Sequence, residues 1–102
     1  MSRFIEWEYP EFVDKRCGAM GRERTFLAAM GLCGEAGEVM EIWKKHLISR
    51  KPLDREHLIE EMGDVFWYFT LMMLNEGITL DTICHANMKK LKARHPNSEE
   101  IK

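Results

Sequence analysis

The sequence is poor in the features that mark exported, membrane-spanning and zinc-binding proteins. Its three cysteines, Cys17, Cys33 and Cys84, are far apart and odd in number, so we expect neither a disulfide framework nor a CxxC zinc site. No apolar run approaches the ~20 residues that span a bilayer. The first ten residues contain no signal-peptide core. We therefore expect a cytoplasmic protein whose cysteines are small buried side chains.

An excess of charge of one sign is also missing. The chain has 15 Lys and Arg against 17 Asp and Glu, a formal net charge of −2. A mainly electrostatic nucleic-acid binder normally presents a basic face, and one short basic stretch at 89–94 does not supply it. We therefore expect neither nucleic acid nor a membrane among the partners.

The 102 residues fit one domain and not two. Apolar residues at helical spacing predict an all-α fold, a four-helix bundle-like module with short connections and no strand. The predicted helices span about 5–16, 22–46, 54–75 and 80–94. Thr79 is predicted to cap the start of the fourth helix, and Gly77 the end of the third. The domain core should cover about 5–96, followed by a flexible tail at 97–102.

The three longer predicted helices carry wide apolar stripes. The two central helices would each be ~30 Å long or more, and too little chain remains to cover both. We therefore expect a second copy to bury the remaining apolar surface, giving a homodimer or a homotetramer built as a dimer of dimers. The stripes consist of Phe26, Leu27, Met30, Cys33, Val39 or Met40 and Trp43; of Leu58, Met62, Val65, Phe66, Phe69 and Met73; and of Leu80, Ile83, Cys84, Met88 and Leu91.

Two pairs of carboxylates interrupt the apolar segments, Glu35 with Glu38 and Glu61 with Asp64. Residues three apart lie on one face of a helix, so the four acids should point into the space between two helices. Such a cluster needs protons or a cation to compensate its charge. All-oxygen ligation favours Mg²⁺ first, then Mn²⁺ or Ca²⁺. A solvated acidic face is the alternative, whereas a di-iron site would need Glu-x-x-His on two helices.

Two further features complement the acids. Gly31 and Gly34 share a helical sector with Glu35, so we expect them to leave room for an ion or a ligand. Asn87, Lys90 and Arg94 recur on one side of the fourth helix and suit the phosphates of a nucleotide. The alternative role of Lys90 and Arg94, with Lys89 and Lys92, is to complement the negative end of that helix.

Three segments together, GLCGEAGEVMEIWKK, EEMGDVFWY and NMKKLKARHP, resemble the all-α nucleoside triphosphate pyrophosphohydrolases, specifically their MazG-like branch. The family hallmark is E-x-x-E followed, after a spacer, by E-x-x-D. Here 22 residues separate Glu38 from Glu61. The resemblance covers roughly 9–96 and implies hydrolysis of a (d)NTP between its α and β phosphates, giving a (d)NMP and pyrophosphate.

The resemblance also implies roles for individual residues. The four acids, Glu35, Glu38, Glu61 and Asp64, would be the catalytic Mg²⁺ ligands, with Mn²⁺ as a possible substitute. One of them, or Glu60, would orient or deprotonate the attacking water. Trp43 and Tyr68 would lie near the base or sugar, with core packing as the alternative role of both. The substrate-binding residues would be Lys45, Tyr68, Asn87, Lys90 and Arg94.

Compact relatives of this kind are commonly house-cleaning enzymes or phage-encoded enzymes that alter nucleotide pools. Other functions stay open at the level of the sequence. They are a non-catalytic regulatory bundle that binds nucleotide or metal, a structural dimerisation module, a dUTP- or dCTP-specific pyrophosphatase, and a phosphoribosyl-ATP pyrophosphohydrolase. These enzymes would share the acids and differ in their contacts with the base.

Overall fold

A computed structural model describes residues 3–97 of the chain. It contains no strand within those residues, which confirms the all-α prediction, and none of its described helices is long and apolar enough to cross a membrane. Residues 98–102, most of the expected flexible tail, lie outside the described residues. A π-helical segment, Phe4–Glu8, runs into α1, Tyr9–Arg16, which is followed by α2, Gly21–Leu47, α3, Arg55–Glu76, and α4, Leu80–Arg94.

Thr79 and Gly77 cap α4 and α3 as the sequence predicted, and Asp54 is a further cap at the start of α3. The Asp54 carboxylate accepts a hydrogen bond from the His57 N–H at 3.1 Å, and the Thr79 hydroxyl accepts one from the Thr82 N–H at 3.2 Å. Gly77 ends α3 in the left-handed conformation, with φ 66°. Each cap satisfies backbone groups that the last or first turn of a helix leaves unpaired.

Pro10 is accommodated at the start of α1, where its missing N–H is tolerated. The turn before it is π-helical, and the Tyr9 N–H donates to the Phe4 carbonyl five residues earlier. The chain leaves the helix at Cys17, whose backbone is extended, and re-enters at Gly21 with φ 58°. The predicted break between the first two helices is therefore confirmed.

Helices α2 and α3 form the main packed unit, and they run antiparallel. The Asn75 side chain near the end of α3 donates to the Gly21 carbonyl at 3.3 Å and to the Thr25 hydroxyl at the start of α2. Thr25 in turn donates to Glu76 at 3.2 Å. Because the first turn of α2 meets the last turn of α3, the middle of α2 lies opposite the first half of α3.

The core lies where α1, α2 and α3 meet. Val13, Ala28 and Leu71 are fully buried there, one from each helix. The Arg24 side chain donates to the Asp14 carboxylate at 2.7 Å and so ties α2 to the end of α1. The partly buried side chains around this core are Tyr9, Cys17, Trp67 and Met72.

The structure corrects the predicted apolar stripe of α2. Phe26 and Met30 are 66% and 55% exposed, whereas the buried residues of α2 are Ala28 and Ile42. Ala28 lies on the side that α3 covers, and Phe26 and Met30 lie on the opposite side of the helix, at about 100° per residue. Nothing among residues 3–97 covers that opposite side. The apolar spacing is present in the sequence, but the side chains of Phe26 and Met30 do not form part of the core of the single chain.

The apolar stripe of α4 has no cover either. None of the residues of α4 is buried, and the helix shares no extended interface with another helix in the described chain. Cys84 on α4 and Cys33 on α2 are exposed, so the expectation of buried cysteines was wrong for both, while Cys17 is half-buried. A fourth helix that packs on the other three within one chain is therefore absent from residues 3–97.

The chain exposes more surface than a compact monomer of its mass. Its accessible surface is 8286 Å², against about 6000 Å² expected for a folded monomer of 12.0 kDa. Its radius of gyration is 16.3 Å, against about 13 Å for a compact domain of this length. Large apolar side chains from the π-helical segment to α4 contribute to this exposed surface, among them Trp7, Phe26 and Met88.

Candidate metal centre

Three of the four predicted acids converge between α2 and α3. Glu35 projects from the middle of α2, and Glu61 and Asp64 project from the first half of α3. One carboxylate oxygen from each lies within 4.8 Å of the others. The antiparallel packing produces this arrangement, because it places residue 35 opposite the turn that carries residues 61 and 64.

The acidic cluster is short of positive charge. The pKa of Glu35 is raised from 4.5 to about 7, first by a hydrogen bond with Glu61 and then by burial. The charges of Asp64, Glu61 and Glu38 add to the effect. Without a cation, Glu35 therefore holds its proton to a higher pH than a free carboxyl group does. A divalent cation could take the place of that proton.

Glu38 stands apart from the other three acids. Its side chain is exposed, and it does not belong to the group whose oxygens lie within 4.8 Å. It is still near enough to raise the pKa of Glu35 through its charge. The structure thus brings together three of the four predicted ligands and leaves the fourth beside them, one turn further along α2.

The acids have two neighbours whose roles the sequence did not reveal. His57 Nε2 lies 3.3 Å from a carboxylate oxygen of Glu61, whose side chain is only 16% exposed. Their spacing of four residues could have suggested this contact. Tyr9 on α1 has a raised pKa, caused by burial and then by the charge of Asp64. No local pattern could have placed Tyr9 there, because α1 and α3 are distant in sequence.

Gly31 and Gly34 differ in what surrounds them, which corrects the expectation that both leave room for a ligand. A Cβ at Gly34 would meet nothing within 4 Å, so that space is open. A Cβ at Gly31 would overlap the ring of Tyr68. The space beside Gly31 is therefore filled by a side chain of α3.

The predicted substrate residues on α2 and α3 lie near the acids but not among them. Lys45 is exposed on α2, about 10 Å along the helix axis from Glu38. Tyr68 is half-buried, with its ring against Gly31 and edge-on to Trp67 at 5.1 Å. The ring of Trp43 is 38% exposed on α2 and packs against His46.

Asn87, Lys90 and Arg94 are exposed on α4. Because α4 has no extended interface with α2 or α3 within residues 3–97, the single chain does not bring these three side chains to the acidic cluster. Their predicted part in binding phosphate therefore needs α4 to come from elsewhere or to move.

The acidic cluster suits a hard divalent cation. All the ligand atoms that it offers are carboxylate oxygens, which coordinate Mg²⁺ and Mn²⁺ well. Opposite ligands of Mg²⁺ at 2.0–2.1 Å are about 4.2 Å apart, slightly less than the 4.8 Å limit that encloses Glu35, Glu61 and Asp64. Small side-chain rotations would therefore close the three carboxylates on the ion, and Glu38 is placed to join them directly or through water.

Comparisons with known proteins point to one family. The family model of the MazG nucleotide pyrophosphohydrolase domain matches residues 25–98, which include all four acids. The Gene 37 protein of Mycobacterium phage L5 is 36% identical over 69 residues, or 64% of this chain. The chain spans 60% of the length of that phage protein. No solved structure matches significantly.

Proposed function

This chain belongs to the MazG nucleotide pyrophosphohydrolase family, and we propose that it hydrolyses nucleoside triphosphates in a Mg²⁺-dependent reaction. The products would be a (d)NMP and pyrophosphate. The observation that carries this proposal is the convergence of Glu35, Glu61 and Asp64 from two helices. The raised pKa of Glu35 supports it as well, because it reflects a site built with more negative charge than the protein itself neutralises.

Glu35, Glu61 and Asp64 would hold the cation, with Glu38 as the fourth acid. When bound, Mg²⁺ would lower the pKa of a water molecule and offset charge on the scissile phosphate, and Mn²⁺ could substitute for it. His57, at 3.3 Å from Glu61, would orient that carboxylate, as hydrogen-bond partners of metal ligands commonly do.

The reaction requires water to attack the α-phosphorus while the bond to the bridging oxygen breaks. The proton of the water passes to an acid of the cluster or to Glu60, and the electron pair of the broken bond leaves with pyrophosphate. The open space beside Gly34 gives the substrate room next to the acids. Lys45 and Tyr68 lie on either side of this region and are proposed to contact the substrate.

We propose that a homodimer is the active form, because α2 is apolar on two opposite sides. Ala28 and Ile42 face α3, while Phe26, Met30 and Met40 are all more than half exposed on the far side. The chain exposes about 2300 Å² more than expected for its mass. Burying even half of this excess on each copy would give an interface of the size found in obligate homodimers. A homotetramer would require a second such interface.

The homodimer also offers a source for the missing cations. Asn87, Lys90 and Arg94 do not reach the acids within one chain, and α4 is unpacked. We propose that α4 of one copy brings these side chains to the acids of the other copy. There they would stabilise the charge that develops on the departing pyrophosphate.

Substrate nucleotides and free thiols both suit a cytoplasmic location.

Product analysis tests the proposed reaction. Purified protein is incubated with a panel of canonical and modified (d)NTPs, with and without Mg²⁺, and the products are separated by anion exchange. We expect (d)NMP and pyrophosphate in equal amounts, and only with the cation. Release of (d)NDP and phosphate would show cleavage at the wrong bond, and no product from any substrate would refute the proposed activity.

A non-catalytic regulatory bundle that binds metal or nucleotide is the second candidate. The observation that favours it is that α4, which carries Lys90 and Arg94, has no extended interface with α2 or α3 within residues 3–97. Calorimetry separates the two functions, because tight nucleotide binding without any turnover would support the regulatory bundle.

The choice among dUTP, dCTP, phosphoribosyl-ATP and other substrates depends on the base contacts, which the same substrate panel would define.

A further inference from the structure

Gly31 on α2 and Tyr68 on α3 make a close contact between the two helices. The Tyr68 ring lies so near the Gly31 backbone that a Cβ there would overlap three ring carbons, Cδ1, Cε1 and Cζ. Real Cβ atoms essentially never come within 3.0 Å of a neighbouring heavy atom. Gly34, Gly37 and Gly63 in the same two helices have nothing within 4 Å of such a Cβ. Among the glycines of α2 and α3, Gly31 is therefore the one at which a Cβ would collide with a neighbouring side chain.

This contact lies one turn from the acids on both helices. Gly31 precedes Glu35 by four residues on α2, and Tyr68 follows Asp64 by four residues on α3. Since the helices are antiparallel, Gly31 faces Tyr68 and Glu35 faces Asp64, and the two pairs lie one helical turn apart along the α2–α3 interface. The distance between the helix axes at Gly31 and Tyr68 therefore governs the distance between the carboxylates of Glu35 and Asp64.

We infer that Gly31 and Tyr68 are positioning residues for the acidic cluster. The ring of Tyr68, packed on the Gly31 backbone, holds α2 and α3 at the separation at which Glu35 lies close to Glu61 and Asp64. This inference rests on the proposed function, since it assumes that the acids bind a divalent cation. It assigns to Gly31 a role in metal affinity, and to the Tyr68 ring a role besides any contact with substrate.

The alternative is a purely structural role, in which the contact stabilises the fold and nothing more. The two roles differ in what a Cβ would do. Because the ring cannot remain in place beside a methyl group, the helices must separate or the ring must swing away. Either change alters the spacing of the carboxylates, whereas a purely structural defect would lower the stability of the metal-free protein and leave the metal affinity of folded molecules unchanged.

The test is Mn²⁺ binding to the full chain, measured from the electron paramagnetic resonance signal of free Mn²⁺. We expect Gly31→Ala to weaken binding by about tenfold or more, within the range seen when support of metal ligands is lost. Adding Tyr68→Val to Gly31→Ala makes room for the methyl group and should recover most of the affinity. Gly37→Ala, in the same helix with open space around it, should bind as the wild type does.

The outcomes separate the inference from the proposed function. If the wild type does not bind Mn²⁺, the proposed metal site is wrong. If the wild type binds and folded Gly31→Ala binds equally well, or the double variant is no better than Gly31→Ala, the positioning role is wrong. Should Gly31→Ala fail to fold, Tyr68→Phe and Tyr68→Val decide the question. The phenyl ring should keep the affinity and valine should lower it, and equal affinities would overturn the inference.

Discussion

Glu35 is the side chain whose state depends most on what fills the acidic cluster. Its pKa of about 7 reflects first a hydrogen bond with Glu61, then burial, and then the charges of Asp64, Glu61 and Glu38. A cation between these carboxylates would remove the cause of the shift, because positive charge favours the ionised form. Proton release and cation binding are therefore linked at this residue.

The linkage predicts how stability changes with pH. Between pH 4.5 and about 7, the folded protein without a cation holds a proton that the unfolded chain has lost. This contribution to stability is complete below pH 4.5 and is lost as the pH rises through about 7. Mg²⁺ competes with the same proton, so it should raise the melting temperature more at about pH 7.5 than at about pH 5.5.

Thermal melts with and without Mg²⁺ across this range check the linkage. Glu35→Gln, which cannot ionise, should make the effect of Mg²⁺ small and nearly independent of pH. Glu41→Gln is the matched control, because Glu41 is exposed on the same helix and pairs only weakly with Lys44 at 3.9 Å. A Mg²⁺ effect that does not change with pH in the wild type would show that Glu35 is not a ligand.

At the residue level, the sequence indicated the acids but not their surroundings. The i,i+3 spacing was enough to place Glu61 and Asp64 together, and the repeated pattern suggested Glu35 as their partner. Two features depend on how α2 and α3 are rotated and separated in the packed structure. One is that Glu38 lies outside the group of Glu35, Glu61 and Asp64, and the other is the packing of the Tyr68 ring on Gly31. The rotation and separation of the helices come from contacts between distant segments, which no local pattern encodes.

The four α-helices were predictable because their ends carry local signals. Asp54 and Thr79 cap two N-termini by side-chain hydrogen bonds, and Gly77 allows the left-handed turn between α3 and α4. Each signal acts within a few residues, so the sequence suffices to predict it. The packing of α4 was not predictable in this way, because its apolar stripe does not specify what covers it.

Gly77 gives a prediction about the end of α3. Its φ of 66° is unfavourable for a residue with a Cβ, so Gly77→Ala should lower the free energy of unfolding by about 1 kcal/mol. Urea denaturation at a fixed protein concentration measures the change. Gly18→Ala is the matched control, since Gly18 has open space and no left-handed backbone, and it should change stability little. Equal effects of the two substitutions would mean that the turn is not strained by a Cβ.

At the scale of the whole molecule, the uncovered apolar side of α2 is the main feature to explain. Phe26, Met30 and Met40 form an exposed stripe opposite α3, and exposed apolar patches of this kind mark association surfaces. The sequence predicted a second copy from the shortage of covering chain. The structure adds which side of α2 is exposed and open to the proposed partner copy.

The dimer interface can be tested by placing a charge on the stripe. Met30→Glu should convert a dimer into monomers, or weaken dimerisation at least about a hundredfold, because a carboxylate would be buried without a partner. Light scattering coupled to size-exclusion chromatography gives the mass. Lys15→Glu places a carboxylate on the exposed side of α1 and changes the net charge by twice as much, yet it should leave the mass unchanged. A monomeric wild type, or a dimeric Met30→Glu variant, would contradict the proposed interface.

The proposed exchange of α4 between copies makes a prediction about mixed dimers. Asp64→Asn and Arg94→Ala should each be nearly inactive alone. Co-expressed, they should give mixed dimers in which one of two sites keeps both residues, so that about a quarter of the wild-type activity returns. If acids and cations of one site came from the same chain, mixing would restore nothing. That result would refute the exchange while leaving the proposed reaction intact.

Mg²⁺-dependent release of pyrophosphate from (d)NTPs, compared between the wild type and Asp64→Asn, tests the central claim most directly. The substitution keeps the size of the side chain and removes the charge of one member of the acidic cluster. We predict turnover by the wild type only when Mg²⁺ is present, and a loss of about a hundredfold or more in the variant. Equal rates for the two proteins, or release that does not need the cation, would contradict the assignment of Glu35, Glu61 and Asp64 as a catalytic metal centre.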